Sequence, residues 1–373
     1  MHGAGLAYHL SRAKVGQVTL LEKNALASGP TSKSGAMIRP VFTERTYIEL
    51  VMESISMFSD WNDIVGGDSG FVQNGFLRIT DTLDSNSTGG DLQLMEDLGV
   101  HYELLEASRL KEFAGMGEFS GQEQGVWLPG SGYADPALTT VTLAAAAKRE
   151  GAMIEEGIEV TSLLVQGGRV RGAALRDGEI SAGTVIVCAG PWTTRLLDPI
   201  GISLPIEAHR TPTCMFLRPP DLPQGGPILS DGVNLVYLRD MGERLMRIAL
   251  FGWTPDPAEP DHYDETVSQD LLDDLRSALR KRYGPMRHSA FMGGFSALYD
   301  MTPDAHPIIG SLPEIDGLWC NCGWSGNGFA SAPAVGRSIA AMITGTGDGI
   351  DLSMFGWPRP PGVTSRPDVI PVK

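Results

Sequence analysis

Cysteine is scarce in this chain, and the residue patterns that mark metal sites are missing. Four cysteines in 373 residues are too few and too irregularly spaced for a disulfide framework or a tetrahedral metal site, so we expect reduced thiols in a cytoplasmic protein. The seven histidines show neither H-x-x-x-H nor H-E-x-x-H spacing, so we expect no metal. Cys320 and Cys322 fall on a predicted strand, where we expect them to face opposite sides and serve only packing.

Basic residues and long apolar runs are also lacking. With 29 Lys and Arg against 45 Asp and Glu, the formal net charge is −16, which excludes nucleic acid and anionic membrane surfaces as general partners. No uninterrupted apolar run approaches the roughly 20 residues that span a bilayer, so we expect no membrane span. The apolar content of 42% suffices for a large core, and the length suggests two domains or one elaborate domain.

The N-terminus lacks the beginning of a dinucleotide-binding motif whose later part is present. Residues 3–22 read as a glycine, an amphipathic helix, a strand and an acid. Gly3 matches the third glycine of G-x-G-x-x-G, and Glu22 is placed to bind the adenosine ribose hydroxyls. The first strand and the first two glycines are missing. We therefore expect that the chain is a fragment or that its start has been placed too late.

The middle of the chain alternates helical and strand patterns. A polar loop at 25–40 precedes a helical pattern over 48–58, and residues 75–80 read as a strand. Asp135 and Pro136 are typical of a helix start. Further on we predict a hairpin around two adjacent glycines, a buried strand at 184–190, and β-structure from 205 to 294 with one helix around 271–283.

Near the C-terminus, residues 295–310 and 317–345 form the most informative stretch. It reads as a strand, a glycine-rich turn containing Gly323, Gly326 and Gly328, and a helix. Bare backbone N–H groups and the positive end of a helix then face the same way, which suits an electron-rich ring. The alternative is a plain glycine-rich turn.

These residues carry a resemblance to a known family. The segments LYDMTPD and GWSGNGF, with CAGPW at 188–192, resemble the D-amino-acid oxidase and sarcosine oxidase superfamily, including glycine oxidases and sarcosine oxidase β subunits. The resemblance implies an α/β fold, α+β overall, with a Rossmann-like FAD-binding domain interleaved with an antiparallel substrate domain. We expect the FAD-binding domain at 1–60, 131–204 and 295–355, the substrate domain at 61–130 and 205–294, and a tail at 356–373.

FAD is the cofactor that the resemblance implies. Ala297 and Lys33 stand where relatives carry a flavin-linking cysteine or histidine, so we expect FAD to be bound non-covalently. The residues expected to bind FAD are Gly3, Glu22, Lys23, Ser32, Lys33, Ser34, Val160, Ala189, Gly190, Trp192, Gly323, Ser325, Gly326, Asn327, Gly328 and Phe329.

Arg39 is the residue expected to bind the substrate. It resembles the family's arginine near the flavin, and its forked donors match a carboxylate. Tyr299 matches an aromatic residue beside the flavin, and Asn327 stands in place of a common histidine. Ala330 replaces a lysine that is a second carboxylate ligand in sarcosine oxidases. The alternatives are a surface ion pair for Arg39 and a packing role for Tyr299.

The implied reaction is FAD-dependent oxidation of the CH–NH bond of a small amino acid or secondary (N-methyl) amine to an imine that is hydrolysed. The alternatives are a 2-hydroxy-acid dehydrogenase of the same superfamily, and a non-catalytic fragment or interaction subunit without FAD. Residues 244–252 contain no lysine of the kind that activates oxygen in this family, which favours a dehydrogenase over an oxidase. The electron acceptor, oxygen or a partner protein or quinone, is open. Residues 205–210 resemble sarcosine oxidase β subunits, which raises companion subunits as partners.

Overall fold

The computed structural model describes residues 1–84, 90–115, 117–222, 224–250 and 256–363. Its helices are α1 (His2–Arg12), α2 (Arg45–Ser59), α3 (Trp61–Ile64), α4 (Leu92–Asp97), α5 (Ala107–Ala114), α6 (Pro136–Arg149), α7 (Thr193–Leu197), α8 (Gln269–Arg282) and α9 (Gly328–Thr344). Short 3₁₀ turns cover Gly190–Trp192, Asp198–Ile200, Gly284–His288 and Ser353–Phe355.

The strands follow the same chain order. They are β1 (Thr19–Glu22), β2 (Met37–Ile38), β3 (Phe76–Thr80), β4 (Glu103–Leu105), β5 (Gln124–Leu128), β6 (Gly132–Tyr133), β7 (Met153–Glu156), β8 (Val160–Gln166), β9 (Arg169–Leu175), β10 (Gly178–Ser181), β11 (Val185–Val187), β12 (Glu207–Leu217), β13 (Ile228–Asp231), β14 (Val236–Met241), β15 (Leu245–Leu250), β16 (Phe291–Met301), β17 (Ile308–Ser311) and β18 (Leu318–Cys322).

Short parallel strands form the Rossmann-like part of the molecule. β1 pairs in parallel with β7, and in a separate sheet β11 pairs in parallel with β18, which also pairs antiparallel with β17. Helix α1 is buried on all sides from Ala4 to Ser11, which is more than the one apolar face with Leu6 and Leu10 predicts. The hairpin of β8 and β9 turns through Gly167 and Gly168, both at positive φ. The predicted α/β fold class is confirmed.

Local sequence signals account for where the principal helices begin and pack. One Asp135 carboxylate oxygen accepts the N–H groups of Ala137 and Leu138 at 2.9 and 2.8 Å, which caps the start of α6. Helix α9 lies close against α1, since a Cβ at Gly336 would come within 2.8 Å of the Gly5 backbone. Glycine at that position lets the two helices that border the site below approach closely.

A large mixed sheet faces the Rossmann-like part. Its strand order is β16-β12-β15-β14-β13-β3-β5-β4. Neighbouring strands are antiparallel except for β13 and β3, which run parallel. The expectation of a wholly antiparallel sheet was therefore wrong in this one place. The two strands belong to distant parts of the chain, 76–80 and 228–231, so no hairpin fixes their relative direction.

Buried hydrophobic side chains form several clusters, and Cys320 and Cys322 belong to one of them. Cys320 and Cys322 are both buried, and both thiols lie near the carbonyl oxygen of Ile308, at 3.6 and 3.9 Å. The expectation that they face opposite sides was wrong, because residues two apart on a strand share a face. Within the described residues, no group of three or more His, Cys, Asp or Glu side chains is arranged to hold a metal, and no helix is long and apolar enough to cross a membrane.

Candidate active site

One cavity of about 1180 Å³ brings the two ends of the chain together. The N-terminal residues of α1 and α9, strand β1 and strand β11 line one side of it, and residues of β12, β14, β15 and β16 line the other. Neither α1 nor α9 has a side-chain cap at its N-terminus. Two helix N-termini therefore present backbone N–H groups and positive dipole ends to one cavity, which suits a long, anionic ligand.

Most residues expected to bind cofactor or substrate line this cavity. Those that do so are Gly3, Glu22, Lys23, Lys33, Ser34, Arg39, Val160, Ala189, Gly190, Trp192, Tyr299, Gly326, Asn327, Gly328 and Phe329. The cavity lining does not include Ser32, Gly323 or Ser325. Ser32 is exposed. Gly323 and Ser325 belong to the turn itself and stabilise it, since the Ser325 hydroxyl accepts the Thr302 N–H at 3.1 Å.

The glycine-rich turn between β18 and α9 is fixed by Asp300 at the end of β16. The Asp300 carboxylate accepts the Gly323 N–H at 2.7 Å, and the Asp300 backbone carbonyl oxygen accepts the Ser325 N–H at 3.0 Å. Gly326 has φ +84°, and a Cβ there would lie 2.7 Å from the Tyr299 ring. The turn therefore lies directly against the tyrosine, which leaves no room for a side chain at position 326.

Asp300 also gives the site a titratable group. Burial raises the pKa of Asp300 to about 6, although the Gly323 N–H opposes that change by favouring the carboxylate. In the unfolded chain the same carboxyl titrates near its usual pKa of about 4. The folded protein therefore binds this proton more tightly than the unfolded chain does.

This difference predicts a pH dependence of stability. As the pH falls from about 7 to about 4, the wild-type protein should gain free energy of unfolding relative to Asp300→Asn, because only the wild type takes up the proton on the folded side. Urea unfolding of both proteins across this pH range measures the difference. A flat difference, or a wild type that loses stability relative to the variant on acidification, would contradict the assignment.

Arg39 lies beside two aromatic rings on the cavity wall. Its Nη1 donates to the Val41 carbonyl oxygen at 3.2 Å, and its Cζ lies 5.3 Å from the centre of the Phe42 ring and 5.5 Å from that of Phe76. Aromatic rings at this distance restrict a guanidinium to a few orientations. Its fork is thus held in place at the cavity rather than free in solvent.

Tyr299 lies between charged groups on the same wall. Burial raises the pKa of Tyr299 to about 12, and the neighbouring Tyr237 raises it further, while Thr211, Arg247 and Arg39 lower it. The phenol is therefore neutral at physiological pH. A neutral hydroxyl beside two guanidinium groups can accept or donate a hydrogen bond to a bound polar molecule.

Sequence reasoning assigned no role to Arg247, which the structure brings into the cavity. Its Nε donates to the Thr213 hydroxyl at 3.1 Å, and its two Nη groups donate to the carbonyl oxygens of Lys33 and Ser34. In the described part of the chain these three partners are uncharged oxygens. The positive charge of Arg247 therefore favours a negatively charged group in the cavity. The signal in the sequence was a lone arginine within the apolar strand β15, which is unusual for an inward-facing position.

His2 is a second residue that sequence reasoning missed. Its ring stacks on Trp324 with 4.4 Å between ring centres, and its Nδ1 lies 3.3 Å from the Asn321 side-chain nitrogen. Burial lowers the pKa of His2 to about 3, so the imidazole is neutral. His2 thereby joins the start of α1 to the turn before α9, the two parts of the chain that form the cofactor side of the cavity.

Comparison with known proteins decides the family. A family model described as FAD dependent oxidoreductase (DAO) matches residues 1–342. The chain belongs to this family. Among curated DAO relatives, 4-methylaminobutanoate oxidase (formaldehyde-forming) of Paenarthrobacter nicotinovorans is 26% identical over 367 residues, covering 94% of this chain and 43% of the relative. Sarcosine oxidase subunit beta of an Arthrobacter species is 24% identical over 351 residues, covering 92% and 84%.

Solved structures of two other proteins have the same fold. L-proline dehydrogenase from P. horikoshii superposes with a TM-score of 0.86 at 24% identity, over 95% of this chain and 93% of that one. Glycine oxidase from Geobacillus kaustophilus superposes with a TM-score of 0.82 at 20% identity, over 96% of both chains. By contrast, the chain spans only about two fifths of the length of the first curated relatives that it matches, 43% and 38%.

The cavity fits the FAD of this family. Its volume and its two uncapped helix N-termini suit a long ligand with a charged middle. A Cβ at Gly328 would come within 2.6 Å of His2 Nε2. FAD, the cofactor of the DAO family, supplies hydride acceptance when bound. The residues of this chain hold it and define the space beside it.

Proposed function

We propose that this protein oxidises the CH–NH bond of a small amino acid or a secondary (N-methyl) amine with FAD. The observation that supports the proposal is that one cavity joins the glycine-rich turn before α9 with Arg39, Tyr299 and Arg247. The names of relatives, a methylaminobutanoate oxidase and a sarcosine oxidase subunit, agree with this class. An amine carrying a carboxylate would match the Arg39 fork, the positive charge of Arg247 and the neutral Tyr299 hydroxyl.

The chain's own residues would bind and orient the substrate. Arg39 takes its carboxylate through two charge-assisted hydrogen bonds, which aims the carbon next to nitrogen at the turn formed by Gly326 and Gly328. Bound FAD would accept the hydride from that carbon, and the proton of the nitrogen would go to solvent, which would give an imine. Water hydrolyses the imine to a carbonyl compound and an amine or ammonia. The Tyr299 hydroxyl and Asn327 border the space where the amine lies.

Matched substrate pairs test the proposed class. FAD reduction is followed anaerobically by the loss of its visible absorbance, with amino acids and N-methyl amino acids set against 2-hydroxy acids of the same carbon skeleton. We expect bleaching by one or more of the amines and none by the hydroxy acid of the same skeleton. Bleaching by 2-hydroxy acids alone would favour the alternative reaction, oxidation of a CH–OH bond by a member of the same superfamily.

We further propose that electrons leave through an acceptor other than oxygen, so that the protein is a dehydrogenase. Residues 244–252 contain no lysine of the kind that activates oxygen. The cation that β15 brings to the cavity wall is Arg247, and its guanidinium donates to two backbone carbonyls. In air, hydrogen peroxide should form much more slowly than an artificial dye is reduced. Peroxide release at a rate similar to dye reduction would identify an oxidase instead.

FAD is proposed to be held without a covalent bond. Ala297 has no reactive atom, and the Lys33 ammonium is engaged by Tyr263 and Glu265 at 2.7 and 2.8 Å. Acid precipitation of the purified protein should leave all flavin in the supernatant, with free FAD recovered intact. Flavin absorbance in the washed pellet would show a covalent link.

The domain boundaries predicted from the sequence stay a prediction. So do a cytoplasmic location and assembly with companion subunits, as the name of the sarcosine oxidase β relative suggests. The alternative that these 373 residues hold no FAD also stays a prediction, and the visible spectrum of the purified protein tests it. A stoichiometric flavin spectrum would rule that alternative out, and a colourless protein that does not take up added FAD would support it.

A further inference from the structure

Residues 256–266 form a segment, here called the strap, that extends from the large sheet towards the cofactor side of the cavity. Both of its ends are held by the sheet. At its start the Arg210 N–H donates to the Asp256 carbonyl and the Ala258 N–H donates to the Ala208 carbonyl, each at 2.9 Å. At its end the Ser296 N–H donates to the Glu265 carbonyl at 2.8 Å. The strap is thus hydrogen-bonded to β12 at its start and to β16 at its end.

Asp261, in the middle of the strap, contacts both edges of the Rossmann-like part, and Glu259 of the strap also pairs with Arg195. Asp261 accepts Lys23 Nζ at 2.9 Å and the Trp192 indole N–H at 2.8 Å, and it also pairs with Arg195. Lys23 directly follows β1, whereas Trp192 and Arg195 follow β11. Since β1 and β11 belong to separate sheets, Asp261 joins two walls of the cavity that no strand pairing joins within the described ranges.

A second set of contacts ties the strap to the loop that precedes β2. Lys33 Nζ contacts the Tyr263 hydroxyl at 2.7 Å and the Glu265 carboxylate at 2.8 Å. Lys23, Lys33, Trp192 and Arg195 all line the cavity. Each cavity-lining cation of this group is therefore held by an acid or a hydroxyl of the strap.

Charge makes these contacts sensitive to salt. Hydrogen bonds from Lys23, Trp192 and Arg195 hold the pKa of Asp261 well below its usual range, so the carboxylate is ionised at neutral pH. The Asp261 side chain is 34% exposed and that of Lys23 29%, so dissolved ions reach the pair and weaken it. One such pair contributes little, but donors from three positions converge on this carboxylate.

We propose that the strap retains FAD in the cavity, and that Asp261 is the positioning residue that sets how fast FAD is released. A dinucleotide that lies between the β1 and β11 edges can leave more readily when those edges separate. Asp261 holds them at a fixed spacing. The proposal rests on FAD binding by the family and not on the amine substrate, so a wrong substrate class would leave it untouched.

FAD release from the loaded protein tests the strap. Holoenzymes of the wild type, Asp261→Ala, Asp261→Asn and Asp261→Glu are diluted, and the recovery of free-flavin fluorescence gives the release rate at low and high salt. We expect release to be about tenfold faster for Asp261→Ala, intermediate for Asp261→Asn, and nearest the wild type for Asp261→Glu. Salt should accelerate release from the wild type and have a smaller effect on Asp261→Ala, which keeps the pairs of Glu259 with Arg195 and of Glu265 with Lys33.

Asp264→Ala is the matched control on the same strap. The Asp264 side chain accepts the Thr266 N–H at 2.8 Å and lies 4.0 Å from Arg210, within the sheet side of the molecule. Its release rate should equal that of the wild type. An unchanged rate in Asp261→Ala, an equal acceleration in Asp264→Ala, or an accelerated rate that keeps the full salt dependence would each overturn the proposal. If Asp261→Ala yields no folded holoenzyme, the near-isosteric Asp261→Asn decides. An FAD release rate equal to that of the wild type in Asp261→Asn would then overturn the proposal.

Discussion

Replacing Arg39 with alanine is expected to weaken the binding of carboxylated substrates by roughly 100-fold. Two charge-assisted hydrogen bonds are lost together, each worth about 1.5–3 kcal/mol, and about 1.4 kcal/mol corresponds to a factor of ten. Arg39→Lys keeps the charge but loses the fork, so its loss should be smaller. The apparent dissociation constant, obtained from flavin reduction at increasing substrate concentration, measures the effect.

Neutral amines and the flavin content are the controls for Arg39. An amine without a carboxylate should lose little affinity, and the FAD bound per chain should stay unchanged in both variants. If Arg39→Ala empties the protein of FAD, the residue serves the cofactor or the fold. If carboxylated and neutral substrates lose affinity equally, carboxylate binding is not its role.

Replacing Gly326 with alanine is expected to lower the affinity for FAD, because this glycine of the turn lines the cavity. The residue has φ +84°, and its new Cβ would lie 2.7 Å from the Tyr299 ring. Backbone strain alone costs about 1–2 kcal/mol, and displacement of either the turn or Tyr299 adds to it. We expect an affinity loss of at least about tenfold, measured by titrating the apo-protein with FAD.

Gly345→Ala provides the matched control. Gly345 ends α9 at φ +69°, and no atom lies within 4 Å of the position that a Cβ would take. Both substitutions therefore carry backbone strain, and only Gly326→Ala adds a clash at the cavity. Gly345→Ala should lower the thermal midpoint without changing FAD affinity. Equal effects of the two substitutions on FAD affinity would show that strain rather than the contact with Tyr299 matters.

Local signals allowed several elements to be predicted from the sequence. Asp135 and Pro136 mark the start of α6, and paired glycines mark the hairpin of β8 and β9, because caps and turns depend on neighbouring residues. The glycine-rich turn and the residues at both ends of the chain were placed in one cavity by the family resemblance. Periodicity alone carries no information about which distant segments meet.

The remaining features depend on contacts between distant residues. The Asp261 carboxylate meets Lys23 across 238 positions of the chain, and Arg247 reaches the Lys33 carbonyl across 214 positions. An exposed acid in a loop is ordinary, and a lone arginine in an apolar strand is unusual but does not indicate its partners, so both roles become visible only in the folded chain. The parallel pairing of β13 with β3 was missed for the same reason, since strand direction between distant segments has no local signal.

A deuterium isotope effect on flavin reduction tests the central claim most directly. The FAD-loaded protein is mixed anaerobically with an N-methyl amino acid that reduces it, carrying either hydrogen or deuterium on the carbons next to nitrogen, and the loss of visible absorbance is timed. We expect deuterium to slow flavin reduction several-fold and one carbonyl product to form per FAD reduced. Flavin that no amine bleaches, but that a 2-hydroxy acid bleaches, would contradict it.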